Sequence, residues 1–344
     1  MTQLFDLILG EMACNSDTTD QPKTLAEALS RPDKEQWWNA ASDEITALEE
    51  NGTFIARRRL PEDRPIGSQW VLRIKRKADG SIDRYKARVV AKGFSQRPGF
   101  DFDETFAPTA RWAALRTILA LAALEDMEVE SVDISSAFLN GELEQPVTMN
   151  IFEGLRDIRP ELFNKEVDGS KRDSDWVLEL HRALYGLKQA PRQWHVKLHS
   201  VMTDMGFTRI QCDNSIWVFR KDKTHVIIPV YVDDMTIVAR SKLDIGSVKT
   251  ELKKRFKLHE LGPISFLLGV KITRNRSTKT LSLSQRQCII DVLEKFGMEN
   301  CTPVQTPLDP SVKLSLLQSP GSPEEAEAMR LVPYREAEIG RAHV

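Results

Sequence analysis

Two adjacent carboxylates stand between apolar segments at Tyr231-Val232-Asp233-Asp234, with Ile227 to Val232 on one side and Met235 to Ala239 on the other. Asp is a common turn residue, and in isolation a simple turn accounts for the pair about as well as chemistry does. A third carboxylate shifts that balance. Asp133 comes near the end of Glu128 to Ile134, where Val129, Val132 and Ile134 read as a buried strand. If the three strands share one sheet, three carboxylates converge with no base close by in sequence, and their mutual repulsion calls for a cation. Hard oxygen donors of this kind select Mg²⁺, which keeps positions open for water and phosphate oxygens. Such ions commonly act as a pair about 3.5 to 4 Å apart in phosphoryl transfer.

The charge pattern suits that chemistry. The formal net charge is only −2, yet Arg57 to Arg97 holds 13 Lys/Arg against 4 Asp/Glu, whereas Ala122 to Ile151 holds 7 Asp/Glu and no Lys or Arg. A basic block suits phosphates and an acidic one a metal, although a solvated face is the commoner meaning of a charge run. With 41% hydrophobic, 28% charged and 7% aromatic residues, the chain is not collagen-like, fully disordered or a disulfide scaffold. Cys14, Cys212, Cys288 and Cys301 are scattered and form no Cys-x-x-Cys pair, which argues against disulfides and a zinc cluster. His195 and His199 are spaced like a zinc pair, but Val196-Lys197-Leu198 between them supplies no Glu and no third ligand is evident. The most apolar run, Thr117 to Leu124, is far short of the roughly 20 residues that cross a bilayer, and Asp6 splits the Leu4 to Leu9 patch. The expectation is an intracellular protein without membrane contact.

The 344 residues suggest about two packing units. Residues 1–31 read as a flexible lead-in and residues 32–50 as an amphipathic helix with Trp37, Ala41, Ile45 and Leu48 on one face. Trp70 to Lys77 and Ile82 to Lys92 read as strands joined at Asp79-Gly80. Arg111 to Asp126 is a helix that leads into the Asp133 strand, and Arg156 to Asp175 is the clearest internal loop. Trp176 to Leu180 is a strand, Pro191 to Met205 a helix capped by Gly206, and Ser215 to Phe219, Val226 to Val232 and Met235 to Ala239 are strands. Leu243 to Phe256 is a helix, Phe266 to Thr273 with Thr280 to Leu283 a hairpin, and Gln287 to Phe296 a helix. The fold class is α+β, an antiparallel sheet backed by helices.

Several longer runs resemble one known family. They are Arg84-Tyr85-Lys86-Ala87-Arg88-Val89-Val90-Ala91-Lys92-Gly93, Thr105-Phe106-Ala107-Pro108, Val132-Asp133-Ile134-Ser135-Ser136-Ala137-Phe138-Leu139-Asn140-Gly141, Leu184-Tyr185-Gly186-Leu187-Lys188-Gln189-Ala190-Pro191-Arg192-Gln193-Trp194, the Asp233-Asp234 turn, and Leu261-Gly262 leading to Phe266-Leu267-Leu268-Gly269. In order and spacing they are similar to the reverse transcriptase segment of copia-type LTR retrotransposon Pol polyproteins, from about Asn51 to Phe296, with weaker likeness out to Pro32 and Ser315. The resemblance implies a right-hand polymerase of fingers, palm and thumb over residues 51–296, making DNA on RNA and DNA templates. It implies that Asp133 and Asp233 bind two Mg²⁺ ions, with Asp234 completing the set and Mn²⁺ as a substitute. It places Phe138 under the incoming sugar, where a ring excludes a 2′-hydroxyl. Arg76, Lys86 and Arg88 fall on fingers that close over the triphosphate, with Tyr185 and Gly186 beside the nucleotide. Lys188, Gln189, Pro191 and Tyr231 fall on the template and primer side, and Leu261 and Gly262 open a segment to Thr273 that grips the primer end.

The partners so implied are an RNA template, a DNA primer/template duplex and deoxynucleoside triphosphates, inside a cytoplasmic virus-like particle or the nucleus. Protease, integrase and RNase H parts are expected outside this sequence, and residues 297–337 read as a linker toward RNase H. Residues 338–344, Glu338 to Val344, can be encoded by GAG ATC GGA AGA GCA CAC GTC, which reads like the start of a sequencing adapter, so that tail is expected to be read-through. Two other readings stand beside the polymerase. One is an inactive remnant that only binds nucleic acid, and the other is a template-independent nucleotidyltransferase.

Overall fold

Amphipathic periodicity builds the elements in the computed structural model, which describes residues 21–330 apart from 77–80, 164–171, 223, 305–310, 312 and 314. The expected Asp79-Gly80 turn and the Glu338 to Val344 tail lie outside the described residues. Helices α1 (Leu25–Leu29) and α2 (Lys34–Glu50) lead to β1 (Phe54–Arg58), β2 (Ser68–Arg76) and β3 (Ile82–Ala91). Helix α3 (Trp112–Leu124) precedes β4 (Glu128–Ile134) and β5 (Glu142–Asn150); α4 (Leu155–Ile158) and β6 (Trp176–Arg182) precede α5 (Ala190–Asp204). Strands β7 (Thr208–Ile210), β8 (Asp213–Lys221), β9 (Thr224–Tyr231) and β10 (Asp234–Ala239) run on to α6 (Lys242–Lys253) and β11 (Leu258–Pro263). Short strands β12 (Phe266–Leu267), β13 (Val270–Asn275) and β14 (Thr280–Ser284) follow, then α7 (Arg286–Lys295) and α8 (Pro323–Arg330). The chain divides into a large unit, Gln21–Leu267 with Ile272–Leu283, and a second of Met1–Asp20, Leu268–Lys271 and Ser284–Val344. In the second, neither α7 nor α8 buries a residue.

The large unit is organised by a six-stranded sheet in the order β11-β4-β10-β9-β8-β7, antiparallel at every step. β9 and β10 run in its middle and are apolar on both faces, with Val226, Ile227, Ile228, Val230, Met235, Ile237 and Val238 buried. Helix α3 buries Leu115, Ile118, Leu119, Ala122 and Ala123, the spacing of one helical face. Helix α5 begins at Ala190-Pro191, where proline's missing N–H costs nothing, and it stops where Gly206 takes φ +84°. A second sheet has the order β1-β6-β5, and β2 pairs with β3.

The structure departs from the sequence expectation at several places, among them β1, β7 and α8, for which no strand or helix was expected. The lead-in is ordered from residue 21, because Thr24 caps α1, Leu25 and Ala28 are buried, and Glu153 accepts from the Leu25 and Ala26 N–H groups. The Arg156 to Asp175 loop contains most of α4 and a 3₁₀ turn, Pro160–Phe163, whose Phe163 packs edge-on against Trp176 at 5.3 Å. β5 and β11 were not anticipated, since each carries charges and a proline that read as loop. Both are edge strands, where a missing N–H and a solvated face are tolerated.

The β2–β3 pair is fastened to the segment before α5 by backbone. Ala91 N–H donates to Tyr185 O at 2.8 Å, and Gly186 holds φ +88° where a Cβ would fall 2.1 Å from Ala91 O. Gly93 faces it, since a Cβ there would fall 2.0 Å from Gly186 O. Substituting Gly186→Ala therefore adds both a backbone clash and a left-handed penalty, and we expect a loss of about 3 kcal/mol in urea unfolding. A loss under about 1 kcal/mol would show that this contact is not built on the absence of a Cβ.

Candidate active site

Register brings the three carboxylates together. β4 and β10 pair so that Asp133 lies directly across from Asp234, and Asp234 in turn lies across from Tyr231 on β9. Asp233 occupies the two-residue turn between β9 and β10, which puts its carboxylate beside the other two. One oxygen from each of Asp133, Asp233 and Asp234 lies within 4.8 Å of the others, all three residues being half-buried. Among the described residues this is the one group of three or more His, Cys, Asp or Glu side chains so placed.

The turn itself is unusual. Val232 has φ +59°, a region that a β-branched residue avoids and that glycine usually fills at the first position of such a turn. Two bonds clamp it. The indole Nε1–H of Trp194 on α5 donates to Val232 O at 2.7 Å, and the Ile134 N–H donates to Asp233 O at 3.2 Å. Trp194 is buried edge-on against Phe256 at 5.2 Å, and Gly141 lets the α5 backbone approach, since a Cβ there would fall 2.8 Å from Trp194 N. In the sequence Trp194 stands only as the last residue of the Leu184 to Trp194 run, with no role of its own. A tryptophan three residues past a helix-starting proline carries a polar N–H that seeks an acceptor when buried, which was the available signal.

A stack of side chains stands next to the triad. Phe138, 5% exposed on the 3₁₀ turn Ala137–Asn140, meets the Tyr185 ring edge-on at 5.1 Å. The Arg88 guanidinium covers Tyr185 at 4.7 Å. Burial pushes the Tyr185 phenol upward; the Arg88 charge opposes this, and the Asp233 and Asp133 charges add to it. The stack is thus electrostatically close to the carboxylates, and the phenol stays protonated at neutral pH.

The remaining expected site residues fall elsewhere. Lys86 sits on β3 across from Arg73, and Arg76 is the exposed end of β2. Lys188 and Gln189 are tied inward: the Lys188 N–H donates to Gln96 Oε1 at 2.8 Å, Lys188 Nζ to Gln96 O at 3.3 Å, and Gln189 Nε2 to Asp101 O at 3.0 Å. Pro191 starts α5. Leu261, 59% exposed, and Gly262, with φ +78°, mark a bulge in β11 where the pairing with β4 slips.

Residues 56–310 match the family described as reverse transcriptase (RNA-dependent DNA polymerase). The chain belongs to that family. It is 41% identical over 92% of its length to a retrovirus-related Pol polyprotein from transposon TNT 1-94 of Nicotiana tabacum. It is 35% identical over 89% of its length to one from transposon RE1, and 32% identical over 93% to one from transposon RE2, both of Arabidopsis thaliana. The chain spans 23%, 20% and 21% of those three relatives, about a fifth of each. The likeness to copia-type Pol sequences seen in the motifs therefore extends over most of this reverse transcriptase chain. No helix among the described residues is long and apolar enough to cross a membrane.

One residue under the β2–β3 pair went unnoticed in the sequence. Glu44 of α2 accepts the Val89 N–H at 3.1 Å, and burial pushes its carboxyl up to about 7, against the Val89 bond and the Arg88 and Lys86 charges. A carboxyl raised from its unfolded value near 4.5 holds a proton in the folded state that the unfolded chain has lost. Stability therefore declines as pH rises from about 4.5 to about 7 and is flat beyond. Glu44→Gln keeps the acceptor and removes the titration. Relative to the parent, it should gain about 2 to 3 kcal/mol between pH 5 and pH 8 in urea unfolding. An unchanged difference between parent and variant at the two pH values would refute the assignment.

Proposed function

We propose that this chain is the polymerase segment of a copia-type retrotransposon Pol polyprotein, which joins deoxynucleotides to a primer 3′-hydroxyl on RNA and DNA templates. The observation that carries the reading is the convergence of Asp133, Asp233 and Asp234. Reverse transcriptases use divalent metals, and a donor set of carboxylate oxygens with no softer ligand fits Mg²⁺, with Mn²⁺ as a substitute. Asp133 and Asp233 would hold two such ions, with Asp234 completing the set. Bound there, the ions would acidify the primer hydroxyl and neutralise the leaving pyrophosphate.

The chain's own residues supply position and selection. Phe138, backed by Tyr185, forms a rigid wall for the deoxyribose, and a 2′-hydroxyl would have to displace a ring packed at 5.1 Å. Arg88, held over Tyr185, presents a fixed cation to the triphosphate, with Lys86 and Arg76 on the same pair of strands. Gly186 serves by backbone proximity. Lys188 and Gln189 support this site by fixing the Gln96 to Asp101 loop, and the fingers-palm-thumb description assigns β2–β3 to the fingers and the six-stranded sheet to the palm.

Primer extension on an RNA template with Mg²⁺ tests the reading. The parent chain should extend, while Asp233→Asn should lose roughly 10³-fold or more and still bind duplex. Duplex binding without extension by either protein would favour a silent remnant, and extension without a template would favour a template-independent transferase.

A further inference from the structure

The sheet places more than carboxylates in the row that crosses Asp133. β11 pairs with β4 so that His259 lies directly opposite Asp133, on the side away from Asp234. Residues directly opposed in an antiparallel ladder project to the same face. The row therefore reads His259, Asp133, Asp234, Tyr231 across β11, β4, β10 and β9. The Ser135 N–H donates to Lys257 O at 2.9 Å, which continues the ladder one step past β11. Lys257, two residues before His259, shares its face about 6.7 Å away.

These two side chains differ from the rest of their basic run. Lys249 pairs with Glu130 and Glu260, Lys253 with Glu260, Lys254 with Glu251 and Arg255 with Asp204. The Lys249 and Lys253 pairs engage Glu130 and Glu260 on the opposite face of the sheet, Lys254 stays at the end of α6, and Arg255 reaches Asp204 at the end of α5. Lys257 and His259 are exposed, and neither side chain has an ion pair or hydrogen bond among the described residues. Unpaired donors beside three carboxylates are placed to receive an anion that the carboxylates would otherwise repel.

We infer that Lys257 and His259 form a phosphate contact for the primer strand, holding the backbone phosphodiester next to the 3′-hydroxyl. The inference rests on the polymerase reading above. A phosphate is the anion that must come to this edge, because the primer end has to reach the carboxylates while the triphosphate already has Arg88 on β3. Lys257 supplies the charge and His259 an N–H, so both are positioning residues for the primer.

The test is affinity of the full chain for a DNA primer/template, by fluorescence anisotropy across 50 to 200 mM salt without divalent metal. Lys257→Met should weaken binding about 5- to 10-fold at low salt and reduce the slope of log affinity against log salt by about 0.9. His259→Ala should weaken it less, with Lys257→Arg and His259→Lys restoring the parent behaviour. In steady-state extension the variants should raise KM for primer/template and leave KM for the nucleotide unchanged. Parental affinity and slope in Lys257→Met would overturn the proposal, as would an effect confined to the nucleotide KM. Because binding is read without synthesis, a parent that fails to extend would count against the polymerase reading alone.

Discussion

Everything at this site depends on holding three like charges together at the end of a sheet. Asp133 and Asp234 are fixed by the β4–β10 ladder, and Asp233 by a two-residue turn that Val232 enters with φ +59°. A left-handed backbone at such a residue costs about 1 to 2 kcal/mol. The Trp194 indole and the Ile134 amide each return about 1 kcal/mol through a bond to the turn. The terms are close to balanced, so the turn persists because neighbours on α5 and β4 over-determine it. Bound cations would add to that balance from the other side.

The side of the triad that carries Tyr185 and Arg88 is built differently, by backbone contact. Gly93 and Gly186 remove the side chains that would separate the β2–β3 pair from the segment leading to α5. Tyr185 can then stand between Arg88 above and Phe138 beside it. Helix α2 supports the same pair from beneath, with Trp37 edge-on to Tyr85 at 4.8 Å and Glu44 on the Val89 amide. Arg88 on β3, the packed rings of Tyr185 and Phe138, and the carboxylates of β4, β10 and the turn before β10 are thus brought together by different parts of the chain.

Much of this was legible in the residues. Asp133, Asp233 and Asp234 were readable because apolar strand segments bracket them, and in the middle of the sheet those segments are buried on both faces. β4 lies where Val129, Val132 and Ile134 placed it, and α5 starts at the proline that announced it. What stayed hidden was non-local. β11 has Gly and Pro at its end and few β-branched residues, so only pairing with β4 reveals it as a strand, and His259 as a neighbour of Asp133, 126 positions earlier in the chain. The roles of Trp194 and Glu44 likewise come from acceptors and donors on distant elements. Lys188 and Gln189 show the converse, because a motif gives their place in the chain but their side chains turn to Gln96 and Asp101.

The central claim is that the Asp133, Asp233 and Asp234 oxygens hold a pair of divalent ions. Counting bound Mn²⁺ by electron paramagnetic resonance, with the full chain on a dideoxy-terminated primer/template and a matching nucleotide, tests it most directly. Two ions per parent chain and fewer than one beyond the nucleotide's own for Asp133→Asn is the result this account predicts. Equal stoichiometry and affinity in parent and variant would contradict it.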